Sequence, residues 1–290
     1  YEKLESFTIK LNFTPDYSFG SARQTNWSGN SVLANGNWHK VAINVTGVYK
    51  LDYTFLNSTL GIDLGAINFN QIGIFGNGGG MVPEKNADVR FDDLQENPIY
   101  VYDANSNNRF EQGDYIIFYA ENADKWTFNT STQSFTHQKN LYSDKNFYFI
   151  TTDKGTGKRL TTVPSVTSPN ININYFDDYA FHENDEYNML KSGRVWLGDR
   201  MSSFTPSQSF SFTFNHLKTN EKVKYISHVA SNSLYPSEIR LSANGSFLKS
   251  QYISQIYSAD YQDGYHDSYV SDSFSSSSDN LNFSYEFISN

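Results

Sequence analysis

The chain contains no cysteine among its 290 residues. Its residues therefore supply no disulfide framework, no zinc–thiolate site and no cysteine nucleophile. Basic residues are scarce as well, because 22 Lys and Arg stand against 31 Asp and Glu, which gives a net charge of -9. No basic stripe is present, and nucleic acid is disfavoured as a partner because neutralising phosphates requires clustered Lys and Arg.

Long apolar runs and catalytic motifs are also missing. No stretch approaches the length of a membrane-spanning helix, so no membrane-spanning segment is predicted. The 6 His residues are scattered without the HExxH spacing of a zinc site, and no Ser lies in a GxSxG elbow. The densest group of ionisable residues, 182–186 (HENDE), is interpreted as a solvated acidic loop rather than a catalytic carboxylate pair. The residues alone thus indicate no complete active site.

Aromatic residues, by contrast, are abundant: 21 Tyr, 23 Phe and 4 Trp make up 17% of the chain. Together with many Ser, Thr and Asn residues, they favour strands over helices. A chain of this length also exceeds what one hydrophobic core usually fills. The expected fold class is therefore all-β, with two β-rich, sandwich-like domains and one or two short helices.

Alternation of apolar and polar residues predicts where the strands lie. In the first half they are expected at 3–13, 38–45, 48–51, 67–75, 99–102, 115–119 and 145–152. In the second half they are expected at 209–214, 223–231, 238–243, 246–250, 270–274 and 281–287. Hairpins are predicted about residues 46–47 and within 126–137, and short helices at 52–60, capped by Asp52, and at 183–190. The polar, proline-containing stretch 164–174 is the expected linker between domains at 1–163 and 175–290.

The most informative stretch is 103–119, DANSNNRFEQGDYIIFY. Oxygen-bearing side chains occupy its positions 1, 3, 5, 9 and 12, and a main-chain carbonyl is available at position 7. These residues are Asp103, Asn105, Asn107, Glu111, Asp114 and, through its carbonyl, Arg109. A hard cation such as Ca²⁺ takes about six to eight oxygens, on which alternate side chains of one tight turn can converge. The spacing predicts a calcium loop that is followed by a strand rather than a helix.

Two positions depart from the usual calcium-loop pattern. Asn108 stands where Gly is usual, although Asn tolerates the left-handed conformation better than most residues. Asp114 replaces the usual bidentate Glu. The alternative is an Asn- and Asp-rich hairpin turn whose side chains hydrogen-bond to their own backbone, and the spacing leaves both interpretations open.

A glycine cluster at 76–80 (GNGGG) follows a predicted strand. A phosphate-binding loop is disfavoured here, because neither a Lys-Ser/Thr pair nor a helical pattern follows the glycines. The cluster instead predicts a flexible turn that needs positive φ.

Six blocks of the sequence occur in an order that resembles one protein family. They are 37–42 (NWHKVA), 46–51 (TGVYKL), 74–80 (IFGNGGG), 114–119 (DYIIFY), 142–149 (YSDKNFYF) and 192–198 (SGRVWLG). Together they resemble the non-catalytic N-terminal region of the PorU sortases, the gingipain-related cysteine peptidases of the type IX secretion system. The region beyond residue 198 matches this family only in general character.

The resemblance implies a role at the cell surface, on the outer face of the outer membrane. Sortases of this family remove C-terminal signal domains from secreted cargo and attach the cargo to a surface lipopolysaccharide. Their catalytic Cys and His lie in a downstream gingipain-like domain, so no catalytic residue is carried over to this cysteine-free chain. The implied partners are the outer-membrane barrel protein PorV, other components of the attachment complex, and secreted cargo. An N-terminal fragment is expected rather than an inactive relative, because the sequence ends in a strand-like pattern.

The competing hypothesis is a free-standing, calcium-stabilised β-sandwich at the cell surface that binds carbohydrate or mediates adhesion. The four Trp residues at positions 27, 38, 126 and 196 are candidates for stacking on sugar rings. A Trp ring nevertheless packs more often in a core or at its rim. Binding to a glycan array without binding to the barrel protein would favour this hypothesis.

Overall fold

The computed structural model describes residues 28–65, 67–85, 87–165, 167–168, 170–171, 173–191, 195–257 and 264–288. The strand predicted at 3–13 and Trp27 lie outside these residues. Nearly all regular structure within them is antiparallel β-sheet, so the all-β prediction is confirmed. None of the helices in this part of the chain is long and apolar enough to span a membrane.

The chain divides into two compact units. The first unit comprises Tyr1–Lys125 and Asn140–Pro164, and the second comprises Trp126–Lys139 and Ser165–Asn290. A hairpin of strands β7 (Lys125–Asn129) and β8 (Ser134–Gln138) confirms the hairpin predicted within 126–137. Residues 126–139, which contain most of this hairpin, belong to the second unit, although they precede the linker predicted at 164–174.

The described residues of the first unit form two antiparallel sheets. Their strands are β1 (His39–Ile43), β2 (Gly47–Asp52), β3 (Gly73–Phe75), β4 (Glu96–Asn97), β5 (Tyr100–Tyr102), β6 (Tyr115–Ala120) and β9 (Asn146–Thr151). One sheet has the strand order β1-β9-β3-β4 and the other the order β2-β6-β5. Alternate residues of both sheets point into one core, which includes the fully buried Ile74, Ile116, Phe118 and Ile150.

The hairpin predicted about residues 46–47 is wrong. Strand β1 pairs with β9, whereas β2 pairs with β6, so the turn between β1 and β2 carries the chain from one sheet to the other. Both strands still bury their alternate apolar residues, such as Val41 and Leu51. Local alternation specifies a strand but not its partner, which depends on residues far away in sequence.

The short helix predicted at 52–60 is confirmed as a π-helical turn, Phe55–Thr59. The Asp52 Oδ1 atom accepts the Phe55 N–H at 2.8 Å, as expected of a capping residue. The Leu60 N–H donates to the Phe55 carbonyl at 3.0 Å, which is the i→i+5 bond of a π-turn. Leu56, the second residue of this turn, is fully buried, so the turn covers part of the core of the first unit.

Two other local predictions are corrected. In place of a strand over all of 67–75, Phe69–Gln71 forms a 3₁₀ turn, because Asn68 and Gln71 make a capping box at its start. In place of a helix at 183–190, Tyr187 forms an antiparallel bridge with Leu197. The Leu197 N–H donates to the Tyr187 carbonyl at 2.8 Å, so this segment follows a strand-like course instead.

The second unit has the strands predicted in the second half of the chain. The strands are β10 (Ser207–Thr213), β11 (Lys222–Ser231), β12 (Ser237–Ala243), β13 (Ser246–Ile253), β14 (His266–Ser275) and β15 (Asn280–Ile288). One sheet has the order β10-β15-β12-β13, and β11 pairs with β14 in another. The two sheets share a small core built around Tyr225, Leu241, Leu281 and Phe283.

A buried polar network links four strands of this unit. The buried Gln251 side chain accepts the Ser227 hydroxyl at 2.5 Å and donates to the Ser268 carbonyl at 3.0 Å. The Tyr285 hydroxyl donates to Ser227 Oγ at 3.0 Å, and burial raises the pKa of this tyrosine. Because each group needs its partner once it is removed from water, the network fixes the register of β11, β13, β14 and β15.

Candidate functional site

The predicted calcium loop connects two paired strands. Residues 103–114 leave β5 at Tyr102 and enter β6 at Tyr115, and these two tyrosines lie directly opposite each other. The loop is therefore a hairpin connection, which brings Asp103, Asn105, Asn107, Arg109, Glu111 and Asp114 together at one end of the β2-β6-β5 sheet. The buried Phe110 side chain holds the middle of the loop to the core.

The backbone of the loop turns where the sequence permits left-handed conformations. Asn108 has φ 62°, so it takes the conformation that Gly has in the usual calcium loop. Ser106 has φ 58° and Gly113 has φ 105°. Beyond Asn108, Arg109 forms a bridge with Asn68, which ties the loop to a second segment of the first unit.

Two carboxylates of the loop bind its own backbone. Asp114 is only 1% exposed, and its two oxygens accept the Ala104 N–H at 2.8 Å and the Glu111 N–H at 2.7 Å. Asp103 accepts the Asn108 N–H at 2.8 Å and the Asn107 N–H at 3.3 Å from a more exposed position. Asp114 therefore joins the beginning of the loop to its end.

The remaining side chains bind one another. The amide groups of Asn105 and Asn107 both donate to Glu111 Oε1, the latter at 3.1 Å. The Asn107 Oδ1 atom accepts the Arg109 N–H at 2.8 Å. These are the contacts of an Asx-rich turn, which supports the alternative interpretation of the sequence.

The donor types and spacing suit Ca²⁺, whereas the two Asn amides present N–H rather than oxygen to Glu111. Calcium binding would require both amides to turn their oxygens toward the ion. Each carboxylate oxygen that accepts an N–H retains a second lone pair for a cation. No group of three or more His, Asp or Glu residues in the described ranges is arranged to hold a metal ion. Calcium at these six residues stays a prediction.

The last two amides of the glycine cluster donate to other groups of the protein itself. The Gly79 N–H donates to Glu121 Oε2 at 2.7 Å, and the Gly80 N–H donates to the Ala123 carbonyl at 2.8 Å. A carboxylate at this position repels phosphate and takes a donor that phosphate would need. Gly80 has φ 102°, in agreement with the predicted turn of positive φ.

The ionisable cluster at 182–186 is divided among structural partners. His182 Nε2 lies 2.6 Å from Asp199 Oδ2, and the His182 ring stacks on Phe210 with 4.1 Å between centroids. Glu183 lies 3.4 Å from His137 Nδ1, and the hydrogen bond with His137 holds the Glu183 pKa below its ordinary value of 4.5 despite desolvation. These contacts assign the cluster to packing rather than to a carboxylate pair facing a substrate.

Two of the three tryptophans within the described residues, Trp38 and Trp126, pack against other rings. Trp126 lies in an aromatic cluster of the second unit, 4.2 Å from the Tyr179 ring and 4.8 Å from the His137 ring. Trp38 packs edge to face with Phe75 at 5.2 Å, and its indole N–H donates to the Asn35 carbonyl. Both rings therefore contribute to packing, as Trp residues commonly do.

Comparison with known proteins gives a structural match. No family model matches the chain, and no curated protein matches it. Among solved structures, the crystal structure of dimeric latent PorU from Porphyromonas gingivalis is similar, with a TM-score of 0.68 and 25% sequence identity. The match covers 90% of this chain and 23% of the PorU chain. The resemblance seen in the sequence blocks is confirmed, and the chain spans about a quarter of the length of the PorU chain to which it is similar.

Proposed function

We propose that this PorU-related region is a non-catalytic accessory part of a type IX secretion sortase. The observation that carries the proposal is the match to PorU over 90% of the chain. Its parent protein would be a cysteine endopeptidase and transpeptidase that removes C-terminal signal domains from secreted cargo and attaches cargo to a surface lipopolysaccharide. Because this chain has no cysteine, its own role is to position the peptidase and bind partners.

The proposed location is the outer face of the outer membrane, and the proposed first partner is the barrel protein PorV. Other attachment-complex components and secreted cargo are further partners in this proposal. Surface aromatic residues support a binding role, since Tyr, Trp and Phe are enriched at protein interfaces. Tyr142 and Phe204, for example, are 86% and 94% exposed.

The experiment is a binding measurement between the purified chain and purified PorV in detergent. We expect saturable binding in the micromolar range or tighter, as for a specific interface of standard size, about 1,600 Å². An unrelated barrel protein of similar size serves as control. Equal signals from the two barrels would reject PorV as the partner. Glycan-array binding in the absence of PorV binding would instead support the carbohydrate-binding alternative, which the match to PorU does not favour.

We further propose that residues 103–114 bind Ca²⁺, which would stabilise the hairpin between β5 and β6. Calcium that binds the native state alone should stabilise the protein by about 2.7 kcal/mol at a hundredfold excess over its dissociation constant. The melting temperature should therefore rise with calcium and fall again on chelation. Isothermal titration would give the stoichiometry.

Glu111→Gln is the matched variant for this test. The glutamine carbonyl of this variant can still accept hydrogen bonds from the side-chain amides of Asn105 and Asn107, so the metal-free loop should keep its stability. Loss of one anionic ligand should weaken calcium binding by about tenfold or more. If chelator leaves the melting temperature of the unmodified chain unchanged, the loop is an Asx-rich turn only.

A further inference from the structure

A cavity lies at one end of the β12–β13 strand pair in the second unit. Its volume is about 410 Å³, within the range of about 300–1,000 Å³ that is usual for small-molecule sites. Its inner wall includes Ser237 and Ile253, which lie directly opposite each other and are nearly fully buried. The segment after β13 lines it as well, through Ser254, Gln255 and Tyr257. The cavity therefore combines a buried floor with an open, polar rim.

Two tyrosine rings are accessible to a ligand in this cavity. Tyr252 and Tyr257 are 70% and 61% exposed. Neither ring packs against another aromatic ring or a cation in the part of the chain that the structure describes. A flat ring with an accessible face can stack on the apolar C–H face of a sugar ring and leave the sugar hydroxyls to hydrogen-bond at the edge.

A fixed carboxylate lies beside the Tyr252 ring. Glu238 is directly opposite Tyr252 across the β12–β13 pair, so the two side chains lie on the same face of the sheet. Glu238 Oε1 accepts the Arg240 Nε–H at 2.9 Å and the Ser250 hydroxyl at 2.8 Å, which leaves Oε2 for a ligand. The hydrogen bond with Arg240 holds the pKa of Glu238 below its ordinary value of 4.5, so this acceptor is ionised at neutral pH. An ionised carboxylate accepts strong hydrogen bonds from hydroxyl groups.

The charges at the cavity favour a neutral ligand. Arg240 already pairs with Glu238, and no other charged residue among those described lines the cavity. A cationic ligand would compete with Arg240, which lies between Glu238 and Glu286, and an anionic ligand would face Glu238 directly. Ser254 and Gln255 supply neutral donors and acceptors, because their side chains make no hydrogen bond to other described residues. An accessible ring beside a carboxylate and an amide suits a polyhydroxylated ring better than an apolar ligand.

A row of serines continues the polar surface away from the cavity. Ser209, Ser284 and Ser242 lie opposite one another on β10, β15 and β12. Ser242 is four residues beyond Glu238, so it lies on the same face, about 13 Å along the strand. The three hydroxyls make no hydrogen bond to other residues in the described ranges. A single sugar in the cavity does not reach this row, whereas an oligosaccharide can.

We propose that this cavity binds a neutral carbohydrate, with one sugar ring stacked on Tyr252 and its hydroxyls bonded to Glu238 and Gln255. The row of serines contacts further units of the same oligosaccharide. The inference goes beyond the accessory role proposed above, because it assigns to the second unit a ligand that does not depend on PorV. It also involves none of the tryptophans considered from the sequence.

The test is a titration of the full chain, labelled with ¹³C in its tyrosine rings, with neutral tetrasaccharides of glucose, galactose, mannose and N-acetylglucosamine. We expect at least one of them to shift the NMR signals of Tyr252 and Tyr257 saturably, while the signal of the exposed Tyr142 stays in place. The corresponding monosaccharide should bind about tenfold more weakly, because it lacks the hydrogen bonds to the serines. If none of the four shifts Tyr252, the proposed site is rejected.

Two charged tetrasaccharides test the neutral assignment. Tetragalacturonate is the anionic match of the galactose tetramer, and tetraglucosamine is the cationic match of the N-acetylglucosamine tetramer. Each should bind more weakly than its neutral counterpart, because Glu238 repels the first and Arg240 competes with the second. Tighter binding of either charged sugar would overturn the assignment of a neutral ligand.

Variants connect binding to the cavity. Tyr252→Ala should weaken binding of the preferred tetrasaccharide by about tenfold or more, whereas the control Tyr142→Ala should not change it. Gln255→Ala should weaken it by about threefold or more at an unchanged melting temperature, because the Gln255 amide has no partner among the described residues. Melting curves would confirm that each variant is folded. Unchanged affinity in both cavity variants would place the sugar elsewhere and overturn the proposal.

The same variants, measured against PorV, separate this proposal from the accessory role. Tyr252→Ala should leave PorV binding unchanged. A chain that binds PorV but none of the neutral tetrasaccharides would overturn the carbohydrate site and leave the accessory role intact. A chain that binds the sugar through Tyr252 without affinity for PorV would support the site and reject that partner.

Discussion

Replacing Gly79 with Ala is expected to lower the free energy of unfolding by about 3 kcal/mol or more. A Cβ atom at Gly79 would lie 2.1 Å from the Asn122 carbonyl oxygen and 2.9 Å from that of Asp124. Both obstacles are backbone atoms, so no side chain can rotate away to relieve the contact. The backbone would have to move apart to make room for this Cβ atom. That movement would also disturb the hydrogen bond from the Gly79 N–H to Glu121, which holds the glycine cluster against the chain after β6.

Chemical denaturation of the two proteins would measure this loss. Gly47→Ala is the matched control, since a Cβ there meets nothing within 4 Å, and its stability should change by less than about 1 kcal/mol. Equal stability of the two variants would show that the glycine cluster does not pack against Asn122. Proteolysis near residues 76–80 offers a second measurement, since a displaced loop is cleaved faster.

The glycine cluster shows which part of the fold local sequence can reveal. A run of glycines after a strand predicted a turn of positive φ, and Gly80 has that conformation. Gly76 and Gly79 are required for another reason, which is close approach to Tyr148 and Asn122. Those contacts join residues far apart in the sequence, so no local pattern could indicate them.

For the strands as well, local sequence predicts where a strand lies but not which strand it pairs with. The six strands of the second half were predicted because apolar alternation and short polar turns are local signals. The β12–β13 connection, for example, turns at Asn244 and Gly245 with φ 48° and 78°, as expected of a tight hairpin. The partners of β1 and β2 were not predictable in this way, since each pairs with a strand more than sixty residues away.

The loop at 103–114 was located correctly because its polar residues are contiguous. The direction of its hydrogen bonds was not predictable, since the same Asn and Asp residues can face a cation or their own backbone. The shared exposed face of the β2-β6-β5 sheet was not predictable for a different reason. Tyr100 and Tyr119 belong to β5 and β6, which a hairpin joins, but Val48 lies beside them only through the pairing of β2 with β6.

The second large effect is expected for Asp114→Ala, which should destabilise the protein by about 3 kcal/mol without any calcium present. Asp114 is buried, and its removal leaves the N–H groups of Ala104 and Glu111 without their acceptor. Both hydrogen bonds are part-buried, so water replaces the carboxylate only incompletely; an unsatisfied donor shielded from water costs about 1–3 kcal/mol, and here two donors lose the same partner. Because this role involves only the protein backbone, the loss should persist in excess chelator.

Asp103→Ala is the matched control, because Asp103 also accepts two backbone N–H groups of the same loop. Its hydrogen bonds are exposed, so water can replace the carboxylate and the loss should stay near 1 kcal/mol. Denaturant unfolding of both variants in chelator would measure the difference. If the two losses are equal, burial does not set the contribution of Asp114. If the loss at Asp114 appears only with calcium, this residue stabilises the loop as a metal ligand and not by joining its two ends.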